Sequence, residues 1–190
     1  MARFIDELKR THHCSGLRGT DEGNEVVLFG WVASRRDHGS LIFVDLRDRE
    51  GVTQIVFDPE ASKEAHAAAE VLRSEWVIGI RGKVKSRGEQ FSQKEGKMVS
   101  AANPHLPTGE IEIEVLELEV FNKSETPPFD LSERSNAGED VRLAHRYLDL
   151  RRKPLQDALR TRSAIAHATR NYLSEQGATE VETPFLVKYT

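Results

Sequence analysis

The hydrophobic periodicity of the chain changes twice between residues 25 and 122, and these changes limit the folds that are open to it. Three segments with a period of two are followed by one segment rich in alanine and glutamate, and then by two more segments with a period of two. A period of two places successive side chains on opposite faces of a β-strand, whereas alanine and glutamate favour an α-helix. The sequence therefore predicts three strands, one helix and two further strands, in that order.

Turn residues separate the predicted elements. Gly39 and Gly51 lie in the first two turns, and Pro59 at a first helical turn predicts a helix of about three turns. A long polar loop, residues 88–108, separates the last two strands. The predicted strands are EVVLFGWV (25–32), SLIFVDLRD (40–48), VTQIVFD (52–58), WVIGIRGKVKSR (76–87) and GEIEIEVLELEVFN (109–122).

This order of elements matches the five-stranded OB-fold barrel, in which a helix lies between strands three and four. An all-β sandwich is the alternative, but a sandwich does not readily accommodate a lone helix between its third and fourth strands. We therefore predict a mainly β domain, an OB-fold barrel, over residues 1–122. On such a barrel, single-stranded nucleic acid lies on the face of strands two and three.

A linker and an incomplete second unit follow the predicted barrel. Residues 123–140 lose all periodicity and contain a Pro-Pro pair, which predicts a linker. In residues 141–190, apolar residues recur at helical spacing from Pro154 until Gly177, and TEVETPFL (179–186) predicts a short strand. Because one helix and one strand cannot close a core, we expect this unit to be the truncated beginning of a domain or to depend on a partner.

Composition excludes several functional classes. With 38% hydrophobic and 31% charged residues, the chain lacks the apolar run of a membrane span, and its N-terminus does not resemble a secretory signal. Cys14 is the only cysteine, so no intrachain disulfide can form and a cytoplasmic location is expected. A metal site at His12, His13 and Cys14 is not expected, because adjacent side chains diverge. The net charge of −4 argues against indiscriminate nucleic-acid binding but leaves room for a local basic surface.

A basic hairpin with an outward aromatic residue is the candidate binding surface. The segment SRRDHGSLIFVDLRDREGVTQIVFD concentrates arginines in a chain that is acidic overall. In its second strand Ile42, Val44 and Leu46 form a wholly apolar face, so Phe43 is predicted to point outward. Single-stranded nucleic acid requires cations along its backbone and aromatic planes on which bases stack. Phe43, Gln54 on the next strand and the surrounding arginines therefore form the predicted site.

Several of these residues also have a structural interpretation. Phe43 could be an ordinary half-buried aromatic residue, and Arg47 and Arg49 could form surface ion pairs within DLRDRE. Trp31 is predicted to belong to the core because its neighbours are apolar. Glu112 is predicted from the pattern alone to be a solvated position in the alternation of acidic and aliphatic residues.

Five segments together resemble the N-terminal third of bacterial aspartyl-tRNA synthetases. In the order of that family they are RTHHCSGL, GWVASRRDHGSLIFVDLRDREGVTQIVFD, TPPF, HRYLDLRR and EVETPFLVK. The string RRDHGSLIFVDLRDREG is highly specific, whereas RYLDLR is shared with lysyl enzymes. The resemblance covers nearly the whole chain. It implies that the barrel binds the anticodon loop of a tRNA, a single-stranded target with splayed bases.

The resemblance also implies roles for residues at matching positions. Phe43 would stack on an anticodon base, and Arg36 and Gln54 would contact anticodon bases or backbone. Similar contacts are implied for Arg73, Arg87 and Glu112. His38 lies where members that also charge asparagine tRNA commonly have histidine rather than leucine, so tRNA(Asp) and tRNA(Asn) are the expected partners. Ser34 departs from the family, in which many members have an arginine, and one backbone contact is expected to be missing.

The second unit resembles the start of a class II synthetase catalytic domain. GATEVETPFL resembles its first motif and contains Pro184, which in the family packs across the homodimer interface. The second and third motifs, whose arginines hold ATP, would lie beyond Thr190. The resemblance implies a full-length aspartate–tRNA ligase that uses ATP and Mg²⁺, whereas this chain alone is expected to hold no cofactor and to be inactive. A free-standing OB-fold module for single-stranded nucleic acid and a protein that uses its second segment only for dimerisation are the alternatives.

Overall fold

The computed structural model describes residues 7–92, 97–132, 135–186 and 188, and for residues 89–92 and 97–100 it describes the backbone alone. The chain divides into two compact units, the first ending at Pro127 and the second beginning at Pro128. The elements of the first unit are β1 (Glu25–His38), β2 (Leu41–Arg47), β3 (Val52–Phe57), α1 (Lys63–Ala69), β4 (Val77–Ser86), β5 (Glu89–Ser92), β6 (Lys97–Ser100) and β7 (Ile111–Asn122).

Five of these strands close into a barrel in the order β1-β2-β3-β7-β4, which confirms the predicted OB-fold. All pairs are antiparallel except β3 and β7, which pair in parallel through Ile55 opposite Ile113 and Val56 opposite Glu114. β2 shows the predicted alternation, because Ile42, Val44 and Leu46 are buried while the residues between them are half-buried. The barrel core is thus built from one face of each strand.

Three local features differ from the sequence-based expectations. α1 is shorter than the predicted three turns, because it begins only at Lys63, four residues after Pro59, where the hydroxyl of the N-cap Ser62 accepts the backbone N–H of Ala65. The long loop before β7 contains the two-stranded β5–β6 ribbon. Trp31 is half-buried rather than in the core, since the alternation of β1 turns Leu28 and Val32 inward.

Asp48, directly after β2, binds the N-terminal segment, whose Cys14 and Leu17 belong to the barrel core. Its carboxylate accepts backbone N–H groups from Cys14 at 3.0 Å, Glu50 at 2.8 Å and Gly51 at 3.1 Å, and the His13 ring lies 2.9 Å away. Cys14 is fully buried, and burial raises the pKa of its thiol. Across the described residues, no group of three or more potential ligand side chains is placed to hold a metal ion.

The second unit contains three helices, α2 (Glu139–Ala144), α3 (Arg146–Asp149) and α4 (Lys153–Glu175). The fully buried carboxylate of Asp149 accepts hydrogen bonds from Arg142 at 3.1 Å, Arg146 at 3.1 Å and Arg152 at 3.2 Å, which ties the three helices together. None of the described helices has the length and apolar character that a membrane span requires.

α4 begins and ends close to the residues predicted from the sequence, but the strand predicted after this helix is wrong. Pro154 lies in the first turn, and Gly177 with a φ of 84° ends the helix. The Ala178 N–H bonds to the Leu173 carbonyl at 3.0 Å, which completes a Schellman motif. Residues 179–186 form no strand, because the part of the second unit that is described offers them no neighbouring strand with which to pair.

We expect Asp48→Asn to lower the free energy of unfolding by about 1–3 kcal/mol at neutral pH, because buried donors lose a charged acceptor. Burial opposes ionisation of Asp48, but the N–H groups of Cys14, Glu50 and Gly51 and the His13 ring together hold its pKa below the ordinary value. Its stabilisation is therefore present above the unfolded-state pKa of ~3.9 and is lost as the pH falls through the lower folded-state pKa.

Urea unfolding of the parent and the variant across this acidic range measures the effect. Asp37→Asn is the control, because that carboxylate is 52% exposed on its side chain and should change stability little. A difference between parent and Asp48→Asn that does not shrink with falling pH would contradict the assignment.

Candidate nucleic-acid interface

The outer face of β1, β2 and β3 brings together residues that are far apart in the sequence. Ser34 lies opposite Asp45, and Asp45 lies opposite Gln54, so these three residues form one row across the three strands. Arg36 lies two residues further along β1, opposite Phe43. Cross-strand and diagonal neighbours on one face of a sheet are close enough for their side chains to interact.

Three polar side chains of this face join two from the ends of β4 and β7 in one hydrogen-bonded network, which we call the outer cluster: Arg36, Asp45, Gln54, Arg87 and Glu112. Arg36 donates to Asp45 at 2.8 Å and to the Gln54 carbonyl oxygen at 3.3 Å. The Gln54 amide nitrogen donates to Glu112 at 3.1 Å, and Arg87 also donates to the Gln54 carbonyl oxygen. Gln54 is therefore the central residue, or hub, of the network, because its carbonyl oxygen and its amide nitrogen are both hydrogen-bonded.

Burial perturbs the two charged residues that flank Gln54. Burial lowers the pKa of Arg87, although Glu112 and Asp45 partly oppose this. Burial also raises the pKa of Glu112, against the opposing effects of the Arg87 charge and the Gln54 hydrogen bond. Glu112 is thus packed into the cluster, with a side chain only 21% exposed, rather than solvated as the strand pattern alone predicted.

Arg87 retains unused hydrogen-bonding capacity. Its side chain is 9% exposed, and its Nε lies 4.0 Å from the nearer Glu112 oxygen. Among the described residues this Nε has no hydrogen-bond partner, whereas Nη1 of Arg87 donates to the Gly109 carbonyl at 3.3 Å. A small movement of Arg87 or of Glu112 would therefore create a new hydrogen bond between these two residues.

Phe43 and His38 form an aromatic pair beside the outer cluster. Phe43 is half-buried on the outer face of β2, as predicted. The two rings pack edge to face, with centroids 5.6 Å apart and an interplanar angle of 80°. His38 is exposed at the end of β1, where Gly39 with a φ of 74° allows the tight turn into β2. Any group that stacks on Phe43 would therefore lie close to the imidazole.

The other arginines of the hairpin are engaged in structural contacts. Arg47 binds both carboxylate oxygens of the buried Glu75 at 2.8 Å, so its partner lies 28 residues away in sequence rather than within DLRDRE. Arg49 pairs with Glu50 at 2.8 Å. Arg35 donates to the Ala69 carbonyl at 3.2 Å. The ion-pair interpretation of Arg47 and Arg49 therefore fits this structure better than a role as free cations.

Two predicted site residues, Arg73 and Pro184, are not members of the outer cluster, and one member of the cluster, Asp45, is not among the predicted site residues. Arg73 is exposed in the turn after α1, where its guanidinium donates to the Leu72 carbonyl at 3.3 Å. Pro184 is exposed in the second unit. Asp45 alternates with the buried residues of β2 and so shares the face of Phe43, and an acidic residue close to arginines in sequence is a signal for pairing. Ser34 donates to Asp45 at 2.5 Å.

Two family models match the chain. Residues 26–121 match an OB-fold nucleic acid binding domain, and residues 138–190 match tRNA synthetases of class II, of the D, K and N type.

Curated relatives match over all or nearly all of the chain. An aspartate–tRNA(Asp/Asn) ligase of Anaeromyxobacter dehalogenans (strain 2CP-C) is 53% identical over 190 residues, which are 100% of this chain and 30% of that protein. An aspartate–tRNA ligase of Macrococcus caseolyticus is 50% identical over 181 residues, or 95% of this chain and 29% of that protein. The chain thus spans about 30% of the length of the curated relatives that it matches.

Solved structures support the fold. An asparaginyl-tRNA synthetase from Pyrococcus horikoshii, complexed with asparaginyl-adenylate, is 25% identical with a TM-score of 0.75, over 95% of this chain and 37% of that one. An aspartyl-tRNA synthetase from Entamoeba histolytica is 22% identical with a TM-score of 0.81, over 98% of this chain and 41% of that one.

We expect the Glu112 carboxyl to titrate above the ordinary glutamate pKa of ~4.3, because it is buried in the outer cluster. Arg87→Gln should raise this pKa further, since the Arg87 charge is the strongest influence that holds it down. Lys85→Gln is the matched control and should raise it less, because Lys85 acts on Glu112 more weakly. Carboxyl carbon NMR titration measures all three values. An ordinary pKa in the parent, or equal effects of the two substitutions, would contradict the described geometry.

Proposed function

This chain belongs to the family of OB-fold nucleic acid binding domains and continues into a class II tRNA synthetase domain, and on that premise we propose that its barrel reads the anticodon loop of a tRNA. The observation that carries the proposal is the outer cluster beside Phe43. The cluster presents donors and acceptors that match base edges, and Phe43 presents an aromatic plane. A splayed base stacks on Phe43 and exchanges hydrogen bonds within the cluster for hydrogen bonds to its own edge.

The charges of the outer cluster favour the reading of bases over the binding of phosphates. Arg36 and Arg87 are balanced by Asp45 and Glu112, so the cluster is formally neutral. Affinity for the nucleic-acid backbone comes from uncompensated cations and falls with salt, whereas base edges are recognised by directed hydrogen bonds. Glu112 can accept from an exocyclic amine, and Arg36, whose side chain is 47% exposed, can donate to a carbonyl. Arg73, exposed beyond α1, is proposed to contact the RNA outside this cluster.

We propose that the full-length protein is an aspartate–tRNA ligase of the cytoplasm that uses ATP and Mg²⁺ and acts on tRNA(Asp) and tRNA(Asn). The support is the identity to ligases that carry these tRNA names and the match to class II synthetases. No ATP or Mg²⁺ ligand is proposed among the residues of this chain. A free-standing nucleic-acid-binding module is not favoured, because relatives match residues of both units.

We propose that the second unit completes its core with the rest of a catalytic domain and with a second subunit. Four large apolar side chains of α4 are between 48% and 62% exposed: Leu159, Ile165, Tyr172 and Leu173. Phe185, beside Pro184, is fully exposed. A soluble protein rarely leaves such a set uncovered. Pro184 is proposed to lie in the homodimer interface of the full-length protein, and residues 123–140 are proposed to link the two domains.

We expect Phe43→Ala to weaken binding of an anticodon stem-loop RNA with the anticodon GUC by ~1–3 kcal/mol, because one base loses its stacking partner. Fluorescence anisotropy at fixed salt measures the change. Phe29→Ala is the matched control, since Phe29 is a half-buried aromatic on β1 that packs edge to face on Phe121, away from the cluster. It should leave RNA affinity unchanged at temperatures where the barrel is folded. Equal affinities of the parent and Phe43→Ala would refute the stacking assignment.

We expect the parent chain to bind GUC and GUU stem-loops within about tenfold, or ~1.4 kcal/mol, of each other, and His38→Leu to disfavour GUU. Cytosine offers an amine where uracil offers a carbonyl, and an imidazole can accept from one or donate to the other according to its tautomer. Leucine can do neither. His12→Leu, at an exposed histidine of the N-terminal segment, is the control and should not alter the ratio. A parent that rejects GUU strongly, or an unchanged ratio in His38→Leu, would overturn this role.

A further inference from the structure

Asp45 holds the exposed arginine of the outer cluster in place. Its two carboxylate oxygens are both used, because Oδ2 accepts from the Ser34 hydroxyl at 2.5 Å and Oδ1 accepts from the Arg36 guanidinium at 2.8 Å. The Ser34 bond orients the carboxylate within the row across β1 and β2. The same terminal nitrogen of Arg36 that Asp45 binds lies 3.3 Å from the carbonyl oxygen of Gln54. Asp45 therefore fixes the guanidinium against the hub of the cluster.

The Arg36 side chain can take up other positions than the one seen here, because much of it is exposed. Its side chain is 47% exposed, whereas the Arg87 side chain is 9% exposed and is confined by its surroundings. A long arginine side chain at an open edge of the sheet can reach outward to an RNA phosphate or inward to a base edge. The two uses have different consequences, because a phosphate contact strengthens binding to every sequence while a base contact distinguishes sequences. In this structure the guanidinium is bound by Asp45 at 2.8 Å.

A carboxylate on a surface that binds RNA repels the phosphate backbone, so Asp45 lowers affinity for any RNA unless it has a compensating role. We infer that Asp45 is a positioning residue that holds Arg36 toward the bases and away from the phosphates, so that it increases discrimination between anticodons at the expense of overall affinity. The inference rests on the proposed function and assigns to Ser34 the task of orienting Asp45. Asp45 itself need not touch the RNA.

The test compares Asp45→Asn with Asp37→Asn in the full chain of 190 residues. Both substitutions remove one negative charge from the hairpin, and each carboxylate pairs with an arginine, but Asp37 pairs with Arg35 at 3.2 Å, outside the cluster. The probes are anticodon stem-loop RNAs with GUC and with a change at the first or second anticodon base. Affinities are measured at several salt concentrations, and thermal melting monitors the fold.

Asp45→Asn is expected to bind the altered loops more tightly and to lower the ratio of GUC to altered-loop affinity about three- to tenfold, the worth of one hydrogen bond. Its salt dependence should steepen by about one released counterion, as Arg36 engages a phosphate. Asp37→Asn should raise affinity for all loops alike and leave the ratio unchanged. The inference would be overturned if the parent and Asp45→Asn had the same ratio of GUC to altered-loop affinity. It would also be overturned if Asp45→Asn and Asp37→Asn lowered this ratio equally.

An Arg36→Gln background tests whether Asp45 acts through Arg36. In this background Asp45→Asn should leave the ratio of GUC to altered-loop affinity unchanged. If it lowered the ratio as much as it does in the parent, Asp45 would act on the RNA directly, against the inference. If Asp45→Asn melts below the assay temperature, Ser34→Ala replaces it, and that variant must lower the ratio for the inference to stand. A parent chain that fails to distinguish GUC from the altered loops would instead refute the proposed function, so the two failures are separable.

Discussion

The parallel pairing of β3 with β7 is the contact on which both the barrel and its outer cluster depend. It joins Ile55 to Ile113 and Val56 to Glu114 over a short stretch, and it converts a strip of antiparallel strands into a closed barrel. Closure buries the inner face of every strand. The same pairing places Glu112 beside Gln54, 58 residues away in sequence, so the fold and the candidate site share one structural cause.

Closure also explains why the outer cluster contains charges that are partly buried. Arg87, directly after β4, donates to the Gln54 carbonyl oxygen, while Glu112 on β7 accepts from the Gln54 amide nitrogen. Neither residue is fully solvated, and the pKa of Glu112 rises while that of Arg87 falls, both because of burial. Buried charged groups need partners, and here they use each other and the Gln54 amide. The resulting network is mostly buried at Arg87 and Glu112, and at Arg36 it is open to solvent.

The second unit shows the opposite situation, a folded element without a complete core. The helix α4 is well defined, with Pro154 at its start and a Schellman motif at its end, and Asp149 with its three arginines anchors the preceding turns. Its large apolar side chains nevertheless remain exposed, and the segment after Gly177 pairs with no strand among the described residues. The backbone hydrogen bonds of a helix lie within its own segment, whereas a strand needs a neighbouring strand for its hydrogen bonds.

Sequence alone determined the order of strands and helix, the inward face of β2, the outward position of Phe43 and the ends of α4, because these depend on periodicity and on local backbone preferences. It did not determine the partners of the charged residues. Arg47 binds Glu75 instead of its neighbours in DLRDRE, Glu112 is drawn into the cluster, and Asp45 orients Arg36, since each contact depends on strand register and barrel closure. Tertiary structure decided these contacts, because hydrogen bonds between distant residues follow from how strands align and not from the pattern within any one strand.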